Sequence, residues 1–402
     1  MPRLPLLFLL VTVMLDAMGI GLIMPVMPDL IRDVQGGSLA QAAVWGGVLS
    51  TTFAVMQFLF SPALGTASDG FGRRPVLLVS LAVLTLDYLV MALAGSLWLL
   101  IVGRILGGIT SATQATAAAY MADLSPPEKK SANFGLIGAA FGAGFVLGPL
   151  MGGLLGSFGP HAPFYAAALL AGVNFLFGLL VMRETVTAER RRPFRWSRAN
   201  PLTAFHAVGS LPGVAPLIVV FLLYSVALYV YPAIWAYFAQ ARFGWTPDVI
   251  GLSLALFGIT IALVQGGLIR VALHRLGDRG TVLWGLLLNV LGLGLISVIT
   301  DGRMALALTP LSGLGAVVMP ALQGIMSKIA PDDAQGELQG VLTSTHALAM
   351  IISPLMMTSA FAFFTASTTP VYLPSAPFLL AVLLVLLALA IFLRSRPAVG
   401  QP

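Results

Sequence analysis

Charged side chains are scarce in this sequence, and cysteine is absent altogether. Asp, Glu, Lys and Arg make up 9% of the 402 residues and 58% are hydrophobic, whereas ordinary soluble domains are about 25% charged. This balance excludes an ordinary water-soluble domain. The absence of cysteine excludes disulfides, thiol chemistry and cysteine-ligated metal sites. The four histidines are scattered, so we expect no nucleophile–base pair or metal-ligand set of a membrane enzyme.

The alternating ten-residue segments typical of a transmembrane β-barrel are also missing. Apolar runs of near-spanning length recur instead from end to end. Because the bilayer core offers no water, each run must satisfy its backbone hydrogen bonds as a helix. The sequence therefore predicts an all-α membrane protein of twelve transmembrane helices. The predicted spans lie near 5–29, 43–66, 75–95, 97–121, 133–156, 163–182, 213–240, 248–270, 281–299, 304–327, 338–362 and 372–394.

Lys and Arg are distributed very unevenly among the connections between these spans. Of the 21 basic residues, only Arg32, Arg242 and Arg303 fall in the connections of one side, and Arg104 lies within a span. The positive-inside rule then places the crowded side, with both termini and the central loop, in the cytoplasm. We expect a multi-pass location in the bacterial inner membrane. The net charge of +6 reflects topology, and we expect no nucleic-acid partner.

The two halves of the chain share one pattern at a constant offset of 205 residues. Gly148–Met151 recurs as Ser353–Met356, and Gly72 maps onto Gly277. The polar stretch 184–212 separates the halves, so we predict two pseudo-symmetric six-helix bundles, 1–183 and 213–402, joined by a cytoplasmic loop. In transporters built from such repeats, substrate binds between the halves near the midplane, and rocking gives alternating access.

Ionisable residues are rare inside the spans: Asp16, Asp87, Arg104 and His346. A charge at the bilayer centre costs about 2.5–3.5 kcal/mol or more, so such residues mark relays, pathways or pairs. Burial favours the neutral form of a carboxyl group, which suits proton transfer. We predict proton coupling at Asp16 and Asp87, with Arg104 holding a carboxylate ionised until a proton arrives. The alternatives are a structural carboxyl and an arginine reaching toward headgroups; His346 is interpreted as a packing residue.

Polar and aromatic side chains within the spans are candidates for contact with a substrate. In the second half, Tyr224, Tyr229, Tyr231 and Trp235 suit a ring-bearing ligand, although aromatic residues in membrane spans are more often packing or interface residues. Apart from His346 this half has no clearly internal ionisable residue, so the proton step is expected in the first half. The predicted substrate-binding residues are Asp16, Gln57, Asp87, Thr110, Gln265, Asn289 and Gln323.

The connection Gly65–Pro75 holds a second predicted site. Asp69 beside Arg73 and Arg74 can form a charge-assisted latch that breaks when the halves rock, and Gly65 and Gly72 complete this gating motif. The alternative is a simple positive-inside anchor.

Glycines recur every fourth residue in the fifth span. Gly144, Gly148 and Gly152 form a smooth stripe against which a neighbouring backbone can slide or pack, and Pro149 removes one helix hydrogen bond. We predict a hinge or a seal, and the alternative is a merely structural stripe.

These motifs resemble those of the major facilitator superfamily, and in particular its tetracycline-exporter branch of drug–proton antiporters. The resemblance covers essentially the whole chain. Gly65–Pro75 resembles the loop between the second and third helices, Arg104 with Gly107 and Gly108 the fourth-helix motif tied to proton coupling, and Gly144–Gly152 the fifth-helix antiporter motif. Leu15–Val26 is similar to the exporters' first helix. The chain departs from the exporters at their eighth-helix histidine, which is Ile261 here, and at their ninth-helix acid, which is Asn289.

The resemblance implies a secondary active transporter that exports small amphipathic compounds, such as tetracycline-like drugs, in exchange for protons. The proton is the expected coupling ion; no cofactor is expected, and Mg²⁺ enters only as a chelate of the drug. We expect a monomer in the lipid bilayer. The alternative is a proton-coupled uptake carrier or facilitator of a small organic solute, against which the fifth-helix pattern argues.

Overall fold

The computed structural model describes residues 3–111, 113–126, 129–186, 213–331 and 334–395, and every regular element within them is a helix. The loop predicted at 184–212 therefore lies outside the described residues from residue 187 onward. The helices are α1 (Arg3–Ile23), α2 (Met27–Gln35), α3 (Leu39–Phe71), α4 (Arg73–Ala92), α5 (Leu97–Thr110), α6 (Thr113–Leu124), α7 (Lys130–Gly156), α8 (Ala162–Val181), α9 (Ala215–Leu228), α10 (Val230–Phe243), α11 (Pro247–Leu263), α12 (Ile269–Val298), α13 (Gly302–Gly313), α14 (Val318–Ile329), α15 (Gln335–Thr365) and α16 (Ala376–Arg394).

Ten helices in the described residues are long and apolar enough to cross a membrane, whereas the sequence predicts twelve spans. The fourth predicted span consists of α5 and α6 on either side of residue 112, which is not described. The eighth and ninth spans join into one stretch, Pro247–Val298, which is divided at Gly277 because its backbone is not helical there (φ 67°, ψ 175°). All-helical, multi-pass architecture is thus confirmed, and twelve crossings fit it.

The first helix ends earlier than the sequence predicts. α1 stops at Ile23 rather than near residue 29, and a turn at 24–26 leads into α2. Pro25 lacks the N–H that would continue the helix, and Pro28 lies in the first turn of α2, where proline is tolerated. The apolar run continues through this break, so hydropathy alone gives no sign of it.

Contacts divide the chain into two compact units. The first contains the described residues of Met1–Gly37, Thr52–Pro201 and Thr246–Ala255, and the second those of Ser38–Thr51, Leu202–Trp245 and Leu256–Pro402. α3 and α11 therefore each contribute to both units. The division follows packing rather than chain order at these two helices.

Each unit has its own apolar core. In the first, Phe8, Leu81 and Tyr120 belong to a cluster that joins α1, α4 and α6. In the second, Tyr231 and Trp235 are 4% and 2% exposed and pack against Phe378 with ring centroids 5.9 and 6.0 Å apart. These two aromatic residues therefore pack in the interior, as the alternative interpretation held. Close packing rather than exclusion of water stabilises such helix contacts in a bilayer.

The internal repeat is visible in the backbone. Gly72 and Gly277, which are 205 residues apart, both have positive φ, 109° and 67°, and each marks the point where one helix gives way to the next. Residues with a Cβ rarely adopt this conformation. Pro149 and Pro354, related by the same offset, both lie inside helices.

Candidate functional site

The buried ion pair of the first unit joins α4 to α5. Arg104 Nη2 lies 3.5 Å from Asp87 Oδ2, and the two side chains are 7% and 2% exposed. The Arg104 guanidinium also lies over the ring of Phe53, 5.5 Å from its centroid. The structure thus brings together two of the three predicted proton-coupling residues, and the carboxylate partner predicted for Arg104 is Asp87.

Two glycines of α5 form the seat of the Asp87 carboxylate. A Cβ on Gly103 would lie 2.9 Å from Asp87 Oδ1, and a Cβ on Gly107 would lie 2.5 Å from Asp87 Oδ2. Any larger side chain at either position would displace the carboxylate from Arg104. On Gly108, a Cβ would lie 2.6 Å from the carbonyl oxygen of Phe53, so this glycine allows the close approach of α3. Sequence analysis identified the close helix approach but not this seat.

Asp16 lies apart from this pair on α1. Its Oδ2 is inaccessible and has no hydrogen-bond partner among the described residues, and no ion pair to Asp16 is formed there. Gly19, one turn further along α1, contacts the hydroxyl of Tyr88, which follows Asp87 in α4. The two predicted carboxyls are therefore in different environments, one paired with an arginine and one without a cation.

The glycine stripe of α7 holds α1 in register. A Cβ on Gly144, Gly148 or Gly152 would collide with the carbonyl oxygen of Met14, Met18 or Leu22, respectively. Both sets advance by four residues, so the backbone of α1 lies directly on the stripe, with Asp16 between the first two contacts. On the next residue of α7, a Cβ on Gly153 would lie 2.5 Å from the carbonyl oxygen of Pro247, which begins α11.

Asp69 and Arg73 of the predicted latch form an ion pair, and its gating role stays a prediction. We call Arg73 with its partners Ser68, Asp69 and Asp123 the Arg73 clasp. Arg73 Nη1 pairs with Asp69 Oδ1 at 2.6 Å and donates to Ser68 Oγ at 2.5 Å. Arg73 Nε lies 3.4 Å from Asp123 Oδ2, which also accepts a hydrogen bond from the Thr185 hydroxyl at 3.0 Å. The clasp therefore ties the end of α3 and the start of α4 to the end of α6.

Glu184 caps the first turn of α4 next to the clasp. Its Oε1 accepts from the backbone N–H of Arg73 at 2.9 Å and its Oε2 from that of Arg74 at 3.2 Å, and a carboxylate at a helix N-terminus is favourable. Arg74 Nη2 donates to the carbonyl of Leu179 at 3.1 Å in the last turn of α8. Gly72 is required because a Cβ there would overlap the Glu184 carboxylate.

Sequence analysis missed Asp123 and Glu184 as members of this site. Glu184 lies 111 residues from Arg73 along the chain, and no local pattern links the two. Among the predicted gating residues, only Gly65 has no structural explanation, since a Cβ there would meet nothing within 4 Å.

The second unit repeats the clasp with its charges exchanged. The offset of 205 residues maps Arg73 onto Asp278 and Asp123 onto Lys328, and Lys328 Nζ pairs with Asp278 Oδ2. Arg279, the counterpart of Arg74, donates to the carbonyl of Leu393 at 3.3 Å in the last turn of α16. An ion pair thus joins the corresponding positions in both units, but the positive charge lies at Arg73 in the first and at Lys328, the counterpart of Asp123, in the second.

Apart from Asp16 and Asp87, the five predicted substrate-binding residues fall into two groups. Asn289 Nδ2 lies within hydrogen-bond distance of the Gly285 carbonyl at 2.9 Å and of the Tyr224 hydroxyl and the Gly315 carbonyl, each at 3.2 Å, and the Thr110 hydroxyl donates to Leu106 O at 2.9 Å. These two side chains are buried within their own units. The other group makes no hydrogen bond within the described residues and consists of Gln57, Gln265 and Gln323. Substrate contact by either group stays a prediction.

His346 is predicted to be a packing residue with its hydrogen bonds satisfied, but one of its ring nitrogens has no hydrogen-bond partner among the described residues. Its ring packs edge-on against Tyr229 at 5.9 Å, at the junction of α9 and α10. Nδ1 is inaccessible and has no partner among the described residues. Within the same residues, no three His, Asp or Glu side chains come close enough together to hold a metal ion.

Comparison with known proteins places this geometry in a family. The family model described as Major Facilitator Superfamily matches residues 9–238 and 217–402. Tetracycline resistance protein, class C, of Escherichia coli is 45% identical over 358 residues, which are 89% of each chain. Class E from Escherichia coli is 41% identical over 89% of this chain and 87% of the relative.

A solved structure shows the same likeness. The crystal structure of the human organic anion transporter MFSD10 (TETRAN) is 25% identical with a TM-score of 0.67, covering 97% of this chain and 99% of that one. The sequence resemblance to this superfamily and to its tetracycline exporters is therefore confirmed. With its repeated helix bundles and its buried ion pair, this multi-pass membrane protein belongs to the major facilitator superfamily.

Proposed function

We propose that this protein exports small amphipathic compounds from the bacterial cytoplasm in exchange for protons, with tetracycline as the first substrate to test. Support for export comes from relatives named tetracycline resistance proteins, which match over about nine tenths of the chain. Support for proton coupling comes from one observation above all: Asp16 is a buried carboxyl without a cation among the described residues, in the unit that also holds the buried Asp87–Arg104 pair.

These residues give a proton two distinct tasks. A carboxyl out of water and without a counter-ion favours its neutral form, so Asp16 binds and releases the transported proton. A proton on Asp87 removes the charge that holds Arg104, and the guanidinium is then free to reorient. Protonation thereby couples to a change in the contact between α4 and α5. The Arg73 clasp, whose groups are partly exposed to water, serves as the gate.

The energy of proton transfer is sufficient for export. One proton moving across roughly 150 mV supplies about 3.5 kcal/mol. Since each factor of ten in concentration corresponds to about 1.4 kcal/mol, this supports a gradient of roughly 300-fold. One proton for each neutral solute therefore accounts for drug resistance without any other energy source.

The proposal is tested by flux in proteoliposomes. Purified protein is reconstituted, a pH gradient is imposed, and movement of tetracycline is followed for the wild type, Asp16→Asn and Asp87→Asn. Asp248→Asn, which changes an exposed acid in the first turn of α11, is the matched control. We expect gradient-driven flux to be lost in both buried variants and kept in the control. Unchanged proton-driven flux in both buried variants contradicts the assignment. Movement of tetracycline away from the acidic side, in the same direction as the protons, identifies an uptake carrier instead.

The proposal includes an orientation and a monomeric state, with no resident cofactor and no nucleic-acid partner. The concentration of Lys and Arg in alternate connections supports both termini in the cytoplasm. Because the chain has no cysteine, single substitutions Ser38→Cys and Ser395→Cys report topology directly. We expect an impermeant maleimide to label position 38 from outside intact cells and position 395 only after lysis; the reverse labelling inverts the orientation.

A further inference from the structure

A small cavity with room for about one water molecule lies inside the first unit between α1, α4 and α8. Its walls are apolar except at two points, Tyr88 on α4 and Asn174 on α8. On the α1 side it is lined by Leu15, Met18 and Gly19. These residues flank Asp16 in sequence, so the cavity borders the helical turn that carries the carboxyl predicted to take up the proton.

Asn174 presents an unused acceptor at this cavity. Its Nδ2 donates to the Thr12 hydroxyl at 2.9 Å, and that hydroxyl donates its own hydrogen to the Phe8 carbonyl at 2.9 Å. Thr12 must therefore accept from Asn174, which assigns the amide orientation. Oδ1 is left inaccessible and without a partner among the described residues, on a side chain that is 2% exposed. A buried polar atom of this kind calls for an explanation.

Tyr88 presents an unused donor. The residue is 5% exposed, and its hydroxyl lies against Gly19, at a point where a Cβ would overlap the oxygen. It forms no hydrogen bond within the described residues, although a buried tyrosine usually has one. Tyr88 follows Asp87 of the ion pair in α4, and its hydroxyl lies against α1 one turn beyond Asp16.

We propose that this cavity is a water site through which protons reach Asp16, with Tyr88 donating to the bound water and Asn174 accepting from it. A buried water molecule requires two to four polar partners, and Tyr88 and Asn174 supply two of them in a cavity with room for about one water. In the transfer, an excess proton carried by the cavity water passes to Asp16: one O–H bond of the protonated water breaks, the O–H bond of the carboxyl group forms, and a neutral water remains in the cavity. Tyr88 and Asn174 thus act as positioning residues for the water. The inference rests on the proposed proton coupling at Asp16.

The test separates proton-driven transport from exchange without net proton movement. Tyr88→Phe and Asn174→Leu each remove one polar group at nearly constant volume. Ala171→Leu fills the cavity and leaves both polar residues unchanged. Tyr165→Phe, on a 49% exposed tyrosine of α8, is the control. Tetracycline uptake driven by a pH gradient in everted vesicles is compared with tetracycline counterflow at equal pH. Folding is followed by size-exclusion chromatography.

We expect the gradient-driven rate to fall about tenfold or more in the three cavity variants, as for loss of a positioned proton-transfer group. Counterflow and the control should be unchanged. A gradient-driven rate equal to wild type in all three variants, or a parallel loss of both fluxes, overturns the water site while Asp16→Asn still abolishes coupling. If Asp16→Asn itself leaves the gradient-driven rate intact, the proposed function is what fails.

Discussion

At the scale of single residues, the buried pair of Asp87 and Arg104 combines charge with backbone space. The carboxylate rests on Gly103 and Gly107, so its distance to the guanidinium is set by the surface of α5. Removing one partner of a buried pair leaves an uncompensated charge, which is more damaging than removing both. The arrangement therefore makes a specific prediction about paired substitutions.

Arg104→Ala is expected to destabilise the protein by about 3–5 kcal/mol, and the double variant Arg104→Ala with Asp87→Asn by less, because no unpaired charge remains. Neither variant is expected to support proton-driven transport. Denaturation of the purified protein in detergent measures the stability, and Arg303→Ala, at an exposed arginine, is the control. Equal destabilisation by the single and double changes would show that the pair is not coupled.

At the scale of elements, the contact between α1 and α7 positions Asp16. Sequence analysis predicts the smooth stripe from glycine spacing alone, but not the partner helix or the side of α7 on which it lies. The structure shows carbonyl oxygens of α1 at four-residue intervals on the three glycines. The contact is between the backbones of α1 and α7, so no flexible side chain can move to make room for a larger residue.

Gly148→Ala is expected to cost about 1–3 kcal/mol of stability, as for overpacking of a filled contact, and to impair transport by displacing α1. Gly138→Ala on the same helix is the matched control, since a Cβ there meets nothing within 4 Å and alanine favours the helix. Thermal unfolding with parallel transport assays compares the two. If the glycine stripe does not contact the backbone of α1, Gly148→Ala will be as stable as the control, and the prediction is wrong.

At the scale of the whole molecule, the internal repeat extends to ion pairs. Arg73 with Asp123 in the first unit corresponds to Asp278 with Lys328 in the second, with the charges exchanged. Such an ion pair requires opposite charges at the two positions, and either position can carry the positive charge. The first clasp differs because Arg73 also contacts Asp69 and Ser68.

Charge reversal should therefore have different results in the two units. We expect Asp278→Lys to reduce transport and the added Lys328→Asp to restore most of it, because the pair is re-formed. Arg73→Asp is not expected to be rescued by Asp123→Arg, since the new aspartate faces Asp69. Tetracycline transport at matched expression measures both series. Rescue in both units, or in neither, would contradict this difference.

Sequence alone determined the features that depend on composition and spacing. Apolar length requires helices wherever water is excluded, a charge such as Arg104 in an apolar span demands a partner, and the offset of 205 residues identifies the repeat. Only the tertiary structure decided which groups meet. The seat of Asp87 on two glycines and the contact of Glu184 with a helix that begins 111 residues earlier depend on packing between distant segments. Local patterns carry no information about such contacts, because many partners are compatible with the same helix and the closest fit of backbones selects among them.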